Sequence, residues 1–300
     1  MPITAVVDEL VDASRRVTTT FAQVPTHPVR VNTPSALTGR ALHEVARRYD
    51  RHGFAVLRIS HTPLTAEIHL ELSDRLTLGP AFVPPLYLRG DRQPDAVSTI
   101  SAASNAATPD ANHPSFGRAV GQELHCDGTL QPIGVVKATL MSCKMPAAEG
   151  GHNTLFASVA VFAQLVSDDL EAALALTMPD VLVRRANING CDDANIGPAF
   201  AVRGGDLVGY YCITETDSWQ VPGSPGGEAL RRGIAYLEEA AKPGGRHFMT
   251  TRLEAGETII FDNTRLSHGR TPYQDSHLNR RCLYRTLHLQ HPCSGTSDDA

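Results

Sequence analysis

The sequence predicts a mainly β fold with flanking helices, an α+β chain built on a β-sandwich or jelly roll. Three observations predict it. Short apolar runs of strand length fill the last third of the chain: HFMTTRL (247–253), ETIIFDN (257–263) and RRCLYRTLHL (280–289). Helical periodicity is confined to the front, to 158–176 and to 227–241. The strands do not alternate with helices in the way a parallel βαβ sheet requires.

Taken in order, residues 38–52 place Leu42, Val45 and Ala46 at helical spacing, and Gly53 offers a C-terminal stop. FAVLRI (54–59) reads as a buried strand and 64–77 as a second helix. AVSTISAASNA (95–105) is strand-like, and a loop with prolines at 109 and 114 follows it. Strands are expected at VVKATLMSC (135–143) and near 181–186, 198–203 and 207–213. An amphipathic helix is expected across 158–176 and another across 227–241, closed by Gly244 and Gly245. With no internal repeat or long linker, we expect one domain over 1–300, its core at about 38–290, a helical insertion at 158–176 and a disordered tail over 293–300.

The bulk properties are those of an ordinary globular protein, 42% apolar and 20% charged. A formal charge of −5 argues against a nucleic-acid partner, which would need a basic surface excess. Six scattered cysteines with no CxxC pair suit free thiols in a reducing compartment. The opening MPITAVVDELVDASRR lacks a signal-peptide apolar stretch, and no run approaches the ~18 apolar residues of a membrane span. A cytoplasmic protein with a small-molecule partner and no membrane partner is therefore expected. The sequence leaves homo-oligomerisation open.

His125-Cys126-Asp127 is a His-x-Asp. On or just off a strand, residues i and i+2 project to one side, so an imidazole and a carboxylate converge while Cys126 points away. Two imidazoles and one carboxylate on one face of a divalent ion make the facial triad of non-haem iron oxygenases, with the remaining positions open. An isolated His-x-Asp is common by chance, but Gly121 and Gly128 bracket this one and a GGxxT turn follows. The third ligand should come from a distant strand. His268, in DNTRLSHGRTPY (262–273), stands after the apolar run TIIF. Alone, it reads more readily as a turn histidine bonded to backbone.

Arg281, Leu283, Arg285 and Leu287 share one face of the last predicted strand. An arginine among inward leucines needs a buried anion, because an unpaired buried charge is expensive. A carboxylate in the guanidinium fork would meet that need, with the Thr154 hydroxyl adding a hydrogen bond. An internal salt bridge to one of the 32 acidic residues would meet it as well.

Together, HCDGT (125–129), GGHNTLFAS (150–158), DNTRLSHGR (262–270) and RRCLYR (280–285) resemble the TauD/TfdA family of dioxygenases. The front segment, a helix running into HGFAVLRIS (52–60), is similar too, so the resemblance spans about 38–290. It implies a double-stranded β-helix (jelly-roll) core, iron(II), 2-oxoglutarate and O2. It implies that His125, Asp127 and His268 bind the metal and that Thr154 and Arg281 hold the distal carboxylate of 2-oxoglutarate. Arg285 matches a second family arginine, which supports the co-substrate or meets an anionic substrate. The family's GG-D/N-T turn carries one residue more here, His152 and Asn153 both preceding Thr154.

The implied reaction couples decarboxylation of 2-oxoglutarate, giving succinate and CO2, to hydroxylation of an unactivated C–H bond. Related halogenases replace the carboxylate ligand with a small residue, so Asp127 argues for a halide-free oxidation, with desaturation, epoxidation and ring formation left open. For the substrate, an amino acid or specialised-metabolite intermediate is expected, with Asn105, Tyr210, Tyr211, Trp219 and Arg285 as candidate contacts. Core packing is the plain alternative for each aromatic. A non-redox metal hydrolase or isomerase on the same fold, or a non-catalytic metabolite-binding jelly roll, is the rival reading.

Overall fold

The computed structural model describes residues 3–25, 27–61, 63–88, 95–102, 118–186, 192–223 and 225–293. The expected loop at 109–114, Asn105 and the tail after residue 293 lie outside them.

In chain order the first strands and helices are α1 (Ile3–Arg15), β1 (Val29–Val31), α2 (Gly39–His52), β2 (Phe54–Ile59), α3 (Ala66–Arg75), β3 (Ser98–Ile100), β4 (Gln122–His125), β5 (Ala138–Met145), β6 (Glu149–Gly150) and β7 (Asn153–Phe156). Then come α4 (Ser158–Asp168), α5 (Leu170–Leu176), β8 (Leu182–Arg185), β9 (Ala194–Gly197), β10 (Phe200–Arg203), β11 (Asp206–Gly209), β12 (Asp217–Trp219) and α6 (Pro225–Ala240). The chain finishes with β13 (Phe248–Thr251), β14 (Glu257–Asp262), β15 (Ser267–Arg270), β16 (Tyr273–Gln274) and β17 (Cys282–His288).

A six-stranded sheet, β1-β2-β14-β5-β17-β3, faces a four-stranded one, β13-β7-β15-β4. Their inner faces share one apolar cluster, with Met141, Cys143, Ile259, Phe261 and Leu283 from the larger sheet and Leu155 from the smaller. This is the jelly-roll arrangement that the run of short strands predicts. α2 and α3 cover the outer face of the larger sheet through Val45, Tyr49, Leu72 and Leu76. α1, α4, α5 and α6 cover the smaller sheet through Leu10, Phe162, Leu176 and Leu237 packed with Phe156 and Leu124.

Period-two alternation is clearest in β14, where Ile260 faces the helices and Ile259 and Phe261 face the inner cluster. In β17 the same rule turns Leu283, Arg285 and Leu287 inward. Thr286 goes outward, where it bonds His69 of α3.

Three expectations are corrected. The single helix across 158–176 is two, because Asp169 leaves helical geometry and its carboxylate caps the next helix by accepting from Ala172 N–H at 3.0 Å. α4 is also not amphipathic: Val159, Ala160, Val161, Phe162, Leu165 and Val166 are all buried, sandwiched between sheet and helices. The 181–213 region carries a further strand, β9, which with β8 and β12 makes a separate three-stranded sheet. No helix among the described residues is long and apolar enough to cross a membrane.

Gly53 stops α2 as the sequence predicts. Its φ is +77°, and its N–H donates to the Tyr49 carbonyl at 2.8 Å. A Cβ there would also come within 3.0 Å of Leu266, the residue two before His268. Gly53→Ala is therefore expected to cost about 1 kcal/mol or more, read as a lower urea midpoint at unchanged m-value. An unchanged midpoint would show that this turn accepts a side chain.

Candidate functional site

β4 ends on His125, and β15 pairs with it so that His268 lies directly opposite. Opposed residues of an antiparallel pair project to the same face, and the two rings sit with centroids 4.2 Å apart. The register then slips, three residues along β4 matching two along β15 before Arg270 meets Gln122. Cys126 turns the other way, its Sγ toward the Leu266 carbonyl at 3.5 Å.

Asp127 is gripped on every side. Its N–H donates to Asn263 Oδ1 at 2.7 Å, and its carbonyl accepts from Asn263 Nδ2 at 3.1 Å and the Tyr210 hydroxyl at 2.9 Å. The carboxylate Oδ1 accepts from Arg285 Nη1 at 2.6 Å, and Oδ2 accepts from Thr139 Oγ1 at 2.7 Å. Oδ2 also lies 3.6 Å from His268 Nε2. His125, Asp127 and His268 each offer one ligand atom, and those atoms lie within 4.8 Å of one another.

The electrostatics suit a cation. Burial alone would raise the Asp127 carboxyl, but the Arg285 charge, then His268 and His125, and the Thr139 bond reverse it and hold the group at about 2. Burial, with His125 beside it, pushes His268 down to about 3, so its ring is neutral near pH 7. His268 Nδ1 is buried with no hydrogen-bond partner. Two imidazoles with one anionic carboxylate, bracing one point, fit iron(II).

The anion pair is rearranged. The β7–β15 register sets Leu155 against His268 and Thr154 against Gly269. Alternation therefore turns Thr154 to the face away from His268, where a Cβ on Gly269 would meet its Oγ1 at 2.8 Å. Asn153 takes the inward position and lines a small cleft with Arg281 and Leu283. The structure thus brings Asn153 rather than the expected Thr154 to the cleft beside Arg281.

Arg281 is 3% exposed, and its Nη1 has no hydrogen-bond partner. No carboxylate of the described residues forms an ion pair with it, and its guanidinium lies 5.1 Å over the Tyr273 ring. Burial lowers its pKa.

A cavity of about 410 Å³ opens over His125 and Asp127. Tyr210 and Arg285 line it, as the sequence suggests. Tyr211 and Trp219 do not. Tyr211 is fully buried, packed on Phe156 at 5.4 Å and on Trp219 at 6.3 Å beneath the helices. Tyr211 is a core residue, turned from the cavity because neighbours along an extended chain face opposite ways, and the half-buried Trp219 packs against the same cluster. Residues not singled out from sequence also line the cavity, among them Gln122, Gln131, Arg184 and Arg270. Thr139 was missed as well. Its only sequence signal is a threonine within the apolar run VVKATLMSC.

The profile of the family "Taurine catabolism dioxygenase TauD, TfdA family" matches residues 13–287. A uridine-5'-phosphate dioxygenase of Amycolatopsis sp is 38% identical over 252 residues, 83% of this chain and 89% of that protein. One from Streptomyces sp is 31% identical over 248 residues, 81% of this chain and 88% of that protein. Among solved structures, the non-haem iron oxygenase OrfP in complex with Fe, succinate and (3S)-hydroxy-L-Arg superposes with a TM-score of 0.59 at 15% identity, covering 95% of this chain and 92% of that one. The chain belongs to the TauD/TfdA family. It is an iron(II)- and 2-oxoglutarate-dependent dioxygenase.

Thr139→Val removes one of the two bonds that orient the Asp127 carboxylate and leaves no buried charge behind. Losing such a supporting contact typically costs about 10- to 100-fold in metal affinity or activity. Anaerobic iron(II) titration should show at least the lower figure with the fold intact. Wild-type affinity would mean that Arg285 alone orients Asp127.

Proposed function

We propose that this member of the TauD/TfdA family oxidises an unactivated C–H bond of uridine-5'-phosphate or a close nucleoside monophosphate, at an iron held by His125, Asp127 and His268. The observation that carries the reading is the cavity over His125 and Asp127. Five arginines line it, Arg118, Arg184, Arg185, Arg270 and Arg285, in a chain whose net charge is −5. Of the four acidic residues in the same lining, one is Asp127 itself. A cationic pocket in an acidic protein suits a phosphorylated substrate, and about 410 Å³ is within the ordinary range for a ligand of nucleotide size. The two curated relatives carry the name of such an activity. They favour a nucleotide over the amino acid or specialised-metabolite intermediate expected from sequence. OrfP's hydroxyarginine does not argue the other way, since at 15% identity that likeness speaks for the fold.

Bound iron(II), with 2-oxoglutarate and O2, supplies the oxidising power that no side chain here has. The protein's part is to position. Asn263 and Tyr210 fix the Asp127 backbone, and Thr139 and Arg285 fix its two oxygens. His268 stays neutral and able to donate a lone pair. Arg281, with Asn153 in place of Thr154, receives the distal carboxylate of 2-oxoglutarate. Arg285 supports Asp127 and contributes positive charge to the cavity wall. Because Asp127 occupies the ligand position that halogenases vacate, C–H oxidation rather than halide transfer follows. The chain acts as one catalytic domain in a reducing, cytoplasmic setting, in keeping with five free cysteines among the described residues.

Enzyme loaded anaerobically with iron(II) should form succinate in step with uridine-5'-phosphate consumption, and His125→Ala or Asp127→Ala should abolish it. Normal turnover by either variant would remove the metal assignment, and uncoupled succinate formation would remove the substrate. Arg281→Ala and Asn153→Ala should each raise the 2-oxoglutarate KM about tenfold or more, the worth of a charge-assisted bond, while Thr154→Val changes it little. A Thr154→Val effect as large as that of Asn153→Ala would overturn the side-chain directions assigned to β7.

A further inference from the structure

We infer that Arg184, on the β8 wall of the cavity, is the anchor that receives the substrate's phosphate group. The inference rests on the reading of a phosphorylated substrate just given and assigns the group that recognises it.

Arg184 is 1% exposed, among the most deeply buried charges of the chain. It lines the cavity over His125 and Asp127, together with Tyr210, Gln131 and Asp217. Its guanidinium lies flat against the Tyr210 ring, 3.5 Å from the centroid. Nη2 makes a long contact to the Gln131 carbonyl at 3.4 Å, whereas Nε and Nη1 have no hydrogen-bond partner. No carboxylate of the described residues pairs with it. Asp217 stands opposite in the β8–β12 register, but its Oδ2 accepts from the Thr214 hydroxyl at 2.6 Å and the Thr214 N–H at 3.2 Å. Burial raises the Asp217 pKa, while the Thr214 bonds and the nearby charges of His125 and Arg184 lower it.

A buried cation without an anion costs several kcal/mol, and stacking on a tyrosine offsets only part of that. The planar fork of an arginine suits a phosphate, which it can meet with two parallel bonds. The other arginines of the wall are differently placed. Arg285 gives Nη1 to Asp127. Arg270 gives Nη2 to the carbonyls of Arg118 and Val120. Arg118 and Arg185 are exposed, and Arg185 lies 3.7 Å from Asp192.

Position adds to the case. The Tyr210 ring that Arg184 stacks on carries the hydroxyl bonded to the Asp127 carbonyl. An anion on Arg184 therefore sits one tyrosine away from a metal ligand, in the cavity that His125 and Asp127 also line.

Anaerobic calorimetry on the iron- and 2-oxoglutarate-loaded enzyme tests this with uridine-5'-phosphate, uridine and inorganic phosphate as probes. Wild type should prefer uridine-5'-phosphate to uridine by about tenfold to a hundredfold, the worth of one or two charge-assisted bonds. Arg184→Gln should erase that preference, lose phosphate binding and keep the uridine and 2-oxoglutarate affinities. Arg184→Lys, which keeps the charge without the fork, should retain part of the preference and carries the test if the glutamine variant does not fold. An Arg184→Gln preference equal to wild type, or, where that variant does not fold, an undiminished Arg184→Lys preference, overturns the inference. So does a wild type that binds phosphorylated and unphosphorylated ligands alike. If another nucleoside monophosphate is turned over instead, and its binding depends on Arg184 in the same way, the uridine reading falls and the phosphate anchor stands.

Discussion

Asp127 follows the end of β4 in the smaller sheet, yet both of its carboxylate oxygens are held from the larger one, by Arg285 on β17 and Thr139 on β5. The residue also clips Asn263, just past β14, through its own backbone. One buried acid thus ties two sheets at the point where the three ligand atoms meet. Removing one partner of such a pair typically costs about 3–5 kcal/mol, because the other charge is left unpaired in a dry interior. The same grip fixes the carboxylate before any metal arrives. Positional precision of this kind, rather than any reactive side chain, is what a scaffold contributes to cofactor chemistry.

Around that tie the molecule divides its work between faces. The inner faces of the two sheets carry the ligand residues among aliphatic and aromatic neighbours, Phe261 lying 4.5 Å from the His268 ring. Dryness there keeps His268 neutral and strengthens every charge contact that remains. The outer faces are covered by helices and do no chemistry. The cavity wall joins barrel residues Gln122, Arg270 and Arg285 to short strands and loops outside the barrel, where β8 and β12 bring Arg184 and Asp217. Recognition can therefore change by altering one small sheet while the metal centre stays as it is.

Several sequence readings follow directly from elementary rules. Gly53 ends its helix because only glycine accepts φ +77° cheaply. Cys126 turns from the site because neighbours on an extended chain face opposite ways. Other readings fail for equally physical reasons. Asn153 rather than Thr154 shares the inner face with His268, a matter of strand register that motif spacing alone does not fix. A capping aspartate splits what hydrophobic periodicity joins across 158–176. Tyr210 and Tyr211 are chemically alike in sequence, and only the packing of Phe156 and Trp219 on one of them separates core from cavity.

The sequence by itself determined the kind of fold and the kind of chemistry. Strand-length apolar runs, a His-x-Asp, a distant histidine and an arginine-bearing last strand are local patterns, and local patterns survive without coordinates. Tertiary structure alone decided which groups share a volume. It set Thr139 and Arg285 on the Asp127 carboxylate, turned Thr154 outward and left two buried Arg184 nitrogens without a partner beside Tyr210. Those outcomes depend on register and on side chains from strands far apart in the chain, and a single-residue slip in register reverses every one of them.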